Sequence, residues 1–407
     1  MTALLDELRE HWLLYAAMPL AAALIGYVTK IVAIRMMFQP LEFRGVGRLG
    51  WQGIIPRRAA RMASIATETL TRELIDPQQI ISRLDPVRIA EEMRQPLLDT
   101  VDDITREVAS TYQPGLWESL PEAARRMLIR RVQDDAPALV EQVVGDIRRN
   151  VENVLDIKSM IVTNLVRDKE LLNRIFREAG DQEFRFIARS GIVFGFLIGL
   201  VQVAAWALTH NPLVMPLFGI FTGWFTDWLA LKMIFHPKHP TRYLGIIEWQ
   251  GLFLKRRQEV SEKYGALIAQ EILTPSNLFE ALLKGPLSDR VFAMVQRHVQ
   301  QIVDSQSGLA RPLVVLTVGS TRYQEMKRFV ATRVMAELPE TMRHVEAYAE
   351  EALDIRNTLT TKMRDLEPEE FEELLRPAFR QDEWILISVG AILGGLMGEL
   401  QVLLLTH

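Results

Sequence analysis

The chain has no cysteine among its 407 residues. That excludes disulfides, thiol catalysis and thiolate-ligated zinc or iron–sulfur sites. Strand signals are nearly as scarce, with Leu313-Val314-Val315-Leu316-Thr317-Val318 the one β-like run. Neither sign of charge dominates: 47 basic residues meet 51 acidic ones for a formal net charge of −4, and nothing global points to nucleic acid. The seven histidines are scattered. No Ser-His-Asp order, phosphate-cradling glycine loop or His-Glu-x-x-His appears. His236-Pro237-Lys238-His239 carries two imidazoles, but its proline breaks the helical spacing that would aim both at one ion. The reading is therefore a non-enzyme without catalytic, metal or cofactor-binding residues.

What is present is a 49% hydrophobic content beside 24% charged residues, because the apolar residues are gathered into four segments. These run from Trp12 to about Val28, Ile187 to Leu208, Leu213 to Ile234, and Trp384 to Leu405. A membrane span needs about 20 mostly apolar residues, so four transmembrane helices are expected, at 12–34, 187–208, 213–235 and 384–405. The residues ahead of the first segment include Asp6, Glu7, Arg9 and Glu10, which is not the basic region of a cleaved signal peptide.

The chain also repeats itself. The block from Gly26 to Pro40 matches the block from Gly223 to Pro237, with Gly, Thr, Ala, Met, Phe and Pro in the same places. Trp51-Gln52-Gly53 matches Trp249-Gln250-Gly251, and Gly191, Gly195, Gly199 and Gln202 match Gly390, Gly394, Gly398 and Gln401. The reading is a tandem duplication: residues 11–208 and 209–407, each a transmembrane helix, a long helical arm (40–185 or 240–382) and a second transmembrane helix. The fold class is all-α and polytopic. Helix-start signals fill the arms, with Asp76-Pro77, Asp85-Pro86, Thr274-Pro275 and Glu367-Pro368 each placing a capping-type residue before a first-turn proline.

Arginines and lysines follow the first and third segments, whereas Thr209-His210-Asn211-Pro212 has none. The positive-inside rule then places both arms in the cytoplasm. Two spans per copy give both copies one orientation, related by a pseudo-two-fold along the membrane normal.

The combined pattern Gly-x-x-Thr-x-x-x-Ala-(Ile/Leu)-(Arg/Lys)-Met-x-Phe-x-Pro, followed by Trp-Gln-Gly and a basic pair, resembles the bacterial membrane family called domain of unknown function 445. The resemblance covers nearly the whole chain. It implies a helical bacterial inner-membrane protein, with no established activity and no agreed catalytic residues. Asp227-Trp228 stands closer to the family's polar-Trp pair than Lys30-Ile31 does, so the first copy has diverged there.

Several residues stand out against this frame. The glycines at 191, 195 and 199 and at 390, 394 and 398 line one helix face each, where small residues let a second helix approach closely. Lys30 and Asp227 occupy equivalent positions with opposite charge. They either pair inside the bundle or snorkel separately to the headgroups. Thr29, Thr226, Gln202, Gln401 and Glu399 are further intramembrane polar groups. Glu399, whose equivalent position in the other copy is held by Leu200, is read as hydrogen-bonding between helices. Trp51, Arg57 and Arg58, with Trp249, Lys255, Arg256 and Arg257, combine an interfacial ring, an apolar patch and basic groups suited to anionic headgroups; a plain helix start explains them too. The leading functional reading is a membrane-anchored scaffold whose arms bind a protein partner or the membrane surface. Its competitor is a transporter or lipid-handling conduit on the axis between repeats, lined by Thr29, Lys30, Thr226, Asp227 and Glu399. A membrane-associated enzyme is the weakest reading.

Overall fold

A computed structural model describes residues 12–47, 49–243, 247–307, 320–373 and 383–406. The β-like run at 313–318 lies outside the described residues. The long helices are α1 (Trp12–Phe38), α2 (Arg94–Tyr112), α3 (Glu122–Arg149), α4 (Asp181–Thr209), α5 (Val214–Phe235), α6 (Ser288–Ser307), α7 (Ser320–Met342) and α8 (Glu383–Thr406). Helices α1, α4, α5 and α8 are each long and apolar enough to cross a membrane. They contain the four expected spans, with small shifts at the ends. Large hydrophobic side chains left exposed lie almost wholly on these four helices; the exceptions are Phe43, Val46, Val87, Met127, Leu128, Val166 and Leu213. An apolar surface of that kind suits lipid rather than water.

The chain forms two compact units, and they do not follow the two sequence repeats. The span unit takes residues 1–70, 164–267 and 360–407, and the arm unit takes residues 71–163 and 268–359. Each unit therefore draws on both halves of the chain. The element order nevertheless recurs: a span helix, a hairpin, a four-residue helix, an eleven-residue helix and a π-helical turn. The π-turns are Leu70–Leu74 and Ile268–Ile272, where the chain passes into the arm unit.

The hairpins correct the expectation of an all-helical chain in detail. Strand β1 (Arg44–Val46) pairs antiparallel with β2 (Leu49–Trp51), and β3 (Thr241–Tyr243) with β4 (Ile247–Trp249). Three residues are too few to display the alternation by which a strand is read. The helix starts behave as read: Asp76 accepts from the Gln78 and Gln79 amides, Asp85 from Val87, and Thr274 from Asn277, each just ahead of a proline. Glu370 reaches back to the amide of Glu367 at 3.0 Å, the return half of a capping box.

In the arm unit, α3 packs on α2 and α6, and α7 on α2 and α6. Their apolar faces meet, burying Ile104, Ile129, Ala136, Val140, Val291, Val295 and Val299. Polar ties cross between the repeats: Arg83 donates to the Leu353 carbonyl and Thr358 hydroxyl at 2.7 Å, and Arg333 to Glu107 at 2.9 Å.

Candidate functional site

The span unit is built on glycine. Helix α1 pairs with α4 and α5 with α8, while contacts of α4 with α5 and of α1 with α8 close the bundle. A Cβ added at Gly195 would lie 2.7 Å from the Ala22 carbonyl oxygen, and one at Gly199 2.8 Å from Pro19 Cα. In the other pair, Gly394 sits against the Gly219 carbonyl, and a Cβ at Gly398 would lie 2.5 Å from the Met215 oxygen. Backbone touches backbone along both seams. In lipid, where apolar side chains gain nothing by leaving water, such close packing is what holds helices together.

The uppermost glycines of these seams have a second task. A Cβ at Gly191 would strike the Lys30 stem at 2.8 Å, and one at Gly390 would strike the Asp227 carboxylate. These two positions leave room for the Lys30 ammonium and Asp227 Oδ1 to pair, at side-chain exposures of 2% and 10%. Of the two readings open from sequence, the structure takes the interior pair. A charge so deeply buried without its partner would be costly, and the pair ties α1 to α5 across the repeats.

The other intramembrane polar groups divide. Thr29 donates to the Ile25 carbonyl at 2.8 Å and Thr226 to the Thr222 carbonyl at 2.7 Å. Both hydroxyls are thus satisfied within their own helices. Gln202 reaches Met215 Sδ at 2.7 Å and Gln401 Oε1 at 3.4 Å, linking the equivalent residues of the two copies. Glu399 is exposed and forms no hydrogen bond or ion pair among the described residues. The expected interhelical bond is corrected: one residue along from the seam glycine Gly398, a side chain has turned about 100° round the helix, out of the bundle. Voids at the centre are small. One of about 20 Å³ is bordered by Thr29, Gln202, Thr226 and Gln401, and one of about 30 Å³ lies beside Lys30 and Asp227. Each has room for roughly one water at most.

The Trp-Gln-Gly blocks are structural clasps. The Gln52 amide donates to the Leu41 carbonyl at 2.8 Å and Gln250 to the Lys238 carbonyl at 3.0 Å. The Gly53 and Gly251 amides bond the carbonyls of Pro40 and Pro237, folding the hairpin back onto the end of its span helix. A Cβ at Gly53 would meet backbone of residues 38 and 39 at 2.8 Å, and one at Gly251 would lie 2.7 Å from the Ile234 oxygen. The Trp51 indole donates to the Met36 carbonyl at 3.1 Å. The apolar patch expected at the membrane surface is corrected, because Ile54, Ile55, Phe253 and Leu254 are buried in protein. Two of the basic groups are likewise engaged inside: Arg256 holds Glu183 at 2.6 Å and Glu259 at 3.0 Å, and Arg257 donates to the Leu366 carbonyl at 2.8 Å. Arg57 and Lys255, equivalent in the two copies, are exposed; Arg58 and Trp249 are half-buried.

Sequence reasoning missed the cluster around Arg256. Glu183 lies in the first turn of α4 with its side chain 7% exposed, and Gln182 and Lys263 both reach Glu259, at 3.0 and 2.9 Å. The hydrogen bonds from Arg256 and Lys263 hold the Glu259 carboxyl down at about 2. The only signal in the sequence was an acidic residue ahead of a span, and such residues are common.

Residues 20–132 match the model of a family described as protein of unknown function (DUF445). A UPF0754 membrane protein of Synechococcus sp. (strain JA-3-3Ab) is 22% identical over 96% of this chain and 98% of its own length. A second, from Synechococcus sp. (strain JA-2-3B'a(2-13)), is 21% identical over the same shares. A third, from Exiguobacterium sibiricum, is 29% identical over 35% of this chain and 36% of its own length. No solved structure matches. With a family match over residues 20–132 and membrane proteins aligned along nearly the full length at 21–22% identity, the chain is similar to the DUF445 family of membrane proteins.

Proposed function

We propose that the protein is a non-enzymatic scaffold of the bacterial inner membrane, with four spans anchoring helical arms on the cytoplasmic side. The observation that carries this reading is the closed interior of the bundle. Glycine seams bring backbones into contact, the Lys30–Asp227 pair fills the space between α1 and α5, and the voids beside it hold about 20 and 30 Å³. A conduit needs a continuous path with groups that a solute can bind and leave. Here the threonine hydroxyls are spent on their own helices and Glu399 points away. Exposed Arg57 and Lys255 are the residues this reading gives to anionic headgroups.

Proteoliposomes test the choice. Vesicles carrying the purified chain should release entrapped small ions and a fluorescent dye no faster than protein-free vesicles, and Asp227→Asn should leave that rate unchanged. Protein-dependent release that Asp227→Asn abolishes would make the conduit the correct reading.

A further inference from the structure

The arm unit contains a larger and more apolar space than the span unit, where a pocket of about 240 Å³ lies beside Trp228, Lys232, His236 and Glu383. Between α2, α3, α6 and α7 lies a cavity of about 480 Å³. Its walls include Ile104 and Val108 of α2, Val132 of α3, Val303 of α6, and Val330 and Val334 of α7. A second void of about 130 Å³ shares Ile104, Leu139 and Val334 with the first and continues among aliphatic side chains. An apolar void of about 150 Å³ already stays dry and takes up benzene, and binding sites for small molecules run from about 300 to 1,000 Å³. An apolar cleft of this size offers aliphatic surface that a bound chain would take out of water.

The polar groups of the lining are few. Tyr112, Gln113, Trp117 and Arg131 all border the larger cavity. Among the described residues, the Tyr112 hydroxyl, the Gln113 side-chain amide, the Trp117 indole N–H and the Arg131 guanidinium make no hydrogen bond or ion pair. The Arg131 side chain is exposed, so a charged group placed there stays partly in water. The chemistry of the walls selects the occupant. A peptide or a sugar would bury N–H, C=O or hydroxyl groups against aliphatic carbon with nothing to bond. A flexible alkyl chain has no such groups. An anionic head group meets the unpaired guanidinium and the donors around it.

We propose that the arm unit binds one aliphatic acyl chain bearing an anionic head, with the chain in the cavity between α2, α3, α6 and α7 and the head at Arg131. This goes beyond the scaffold reading and does not depend on it. Two sources share the chemistry: a free long-chain fatty acid, and an acyl arm of an anionic phospholipid.

Photolabelling of the full chain in phosphatidylcholine vesicles tests this. Three probes are used separately: diazirine-bearing palmitate, diazirine-acyl phosphatidylglycerol and diazirine-bearing hexadecanol, with adducts mapped by peptide mass spectrometry. Palmitate or phosphatidylglycerol should mark peptides of α2, α3, α6 or α7. Adducts from palmitate identify the free acid as the source, and adducts from phosphatidylglycerol alone identify bilayer lipid. Val303→Trp combined with Val330→Trp fills the cavity and should lower those adducts by about tenfold or more, the equivalent of about 1.4 kcal/mol. Adducts on α1, α4, α5 and α8 should persist and report that the variant is folded and inserted. If that variant does not fold, Ala136→Leu, a partial fill where the two voids meet, should give a smaller loss in the same peptides. Arg131→Gln should weaken labelling by the anionic probe about five- to tenfold, as expected for one charged hydrogen bond, and leave hexadecanol labelling unchanged. Adducts confined to the four spans would overturn the proposal, as would labelling of the filled variant at the wild-type level. Equal loss of anionic probe and hexadecanol in Arg131→Gln would overturn the assignment of the head group.

Discussion

Lys30 and Asp227 stand 197 residues apart in matching sequence blocks and carry opposite charges, so each half of the chain supplies half of one ion pair. Either residue alone would be a buried charge without a counter-ion. Lys30→Asp or Asp227→Lys should therefore destabilise the bundle by about 3–5 kcal/mol and lower the yield of folded protein from membranes. The exchanged double variant should recover most of that yield; a double variant no better than the singles would mean that the pair does not hold the fold. Glu259 offers a separate test outside the lipid-facing helices. Its carboxyl is held at about 2 against an ordinary 4.5. A group whose folded value is depressed stabilises the fold above its unfolded value, and that contribution is lost as pH falls through the window between the two. Thermal unfolding of purified protein should show Tm declining between pH 4.5 and about 2, and Glu259→Gln should flatten that portion of the decline. At this scale the sequence singled out Lys30, Asp227, Gln202 and Gln401, and the structure brings Lys30 to Asp227 and Gln202 to Gln401. It misjudged Glu399, Arg256 and Arg257, because a residue's type does not reveal which way its helix face points or which distant carbonyl it meets.

The glycines act at the scale of the helix. Gly26 and Gly191 touch through their backbones, as do Gly223 and Gly390, so any side chain at these positions must push the paired helices apart. Gly191→Leu or Gly390→Leu should cost about 1–3 kcal/mol or more through overpacking, seen as a lower Tm in detergent. The Lys30–Asp227 pair should be disturbed too, since the added carbons occupy the space of its side chains. Gly115 is the control, because a Cβ there meets nothing; Gly115→Ala should be neutral or stabilising by up to about 1 kcal/mol. The four-residue spacing of the seam glycines was readable because one period places them on one face. The hairpins at 44–51 and 241–249 were not, since three-residue strands leave no pattern. The Trp-Gln-Gly blocks were seen as a repeated motif but assigned to the membrane surface. Their purpose depends on carbonyls of the preceding span end, which only the folded turn brings within reach.

At the scale of the whole molecule, the proposed topology puts both arms on the cytoplasmic side of the membrane. The chain's lack of cysteine makes the measurement direct. Single cysteines at Ser159, Thr361 and Asn211, exposed to an impermeant thiol reagent on intact cells, should label only at Asn211 if the arms are cytoplasmic. Labelling at Ser159 and Thr361 instead would place the arms outside and move the search for partners to the envelope.

The amino-acid sequence by itself determined the four spans, the helical arms and their starts, because these follow from local quantities: apolar length, 3.6-residue periodicity and capping chemistry within one turn. The recurrence of motifs about 197 residues apart was also legible without coordinates. Tertiary structure alone decided that the compact units cut across the repeats, that Lys30 meets Asp227, and that Glu399 faces outward. It alone revealed that the voids at the bundle centre are small while the arm helices border an apolar cleft of about 480 Å³. A cavity is a property of how four helices are spaced, and the residues that line it read, one by one, as ordinary core.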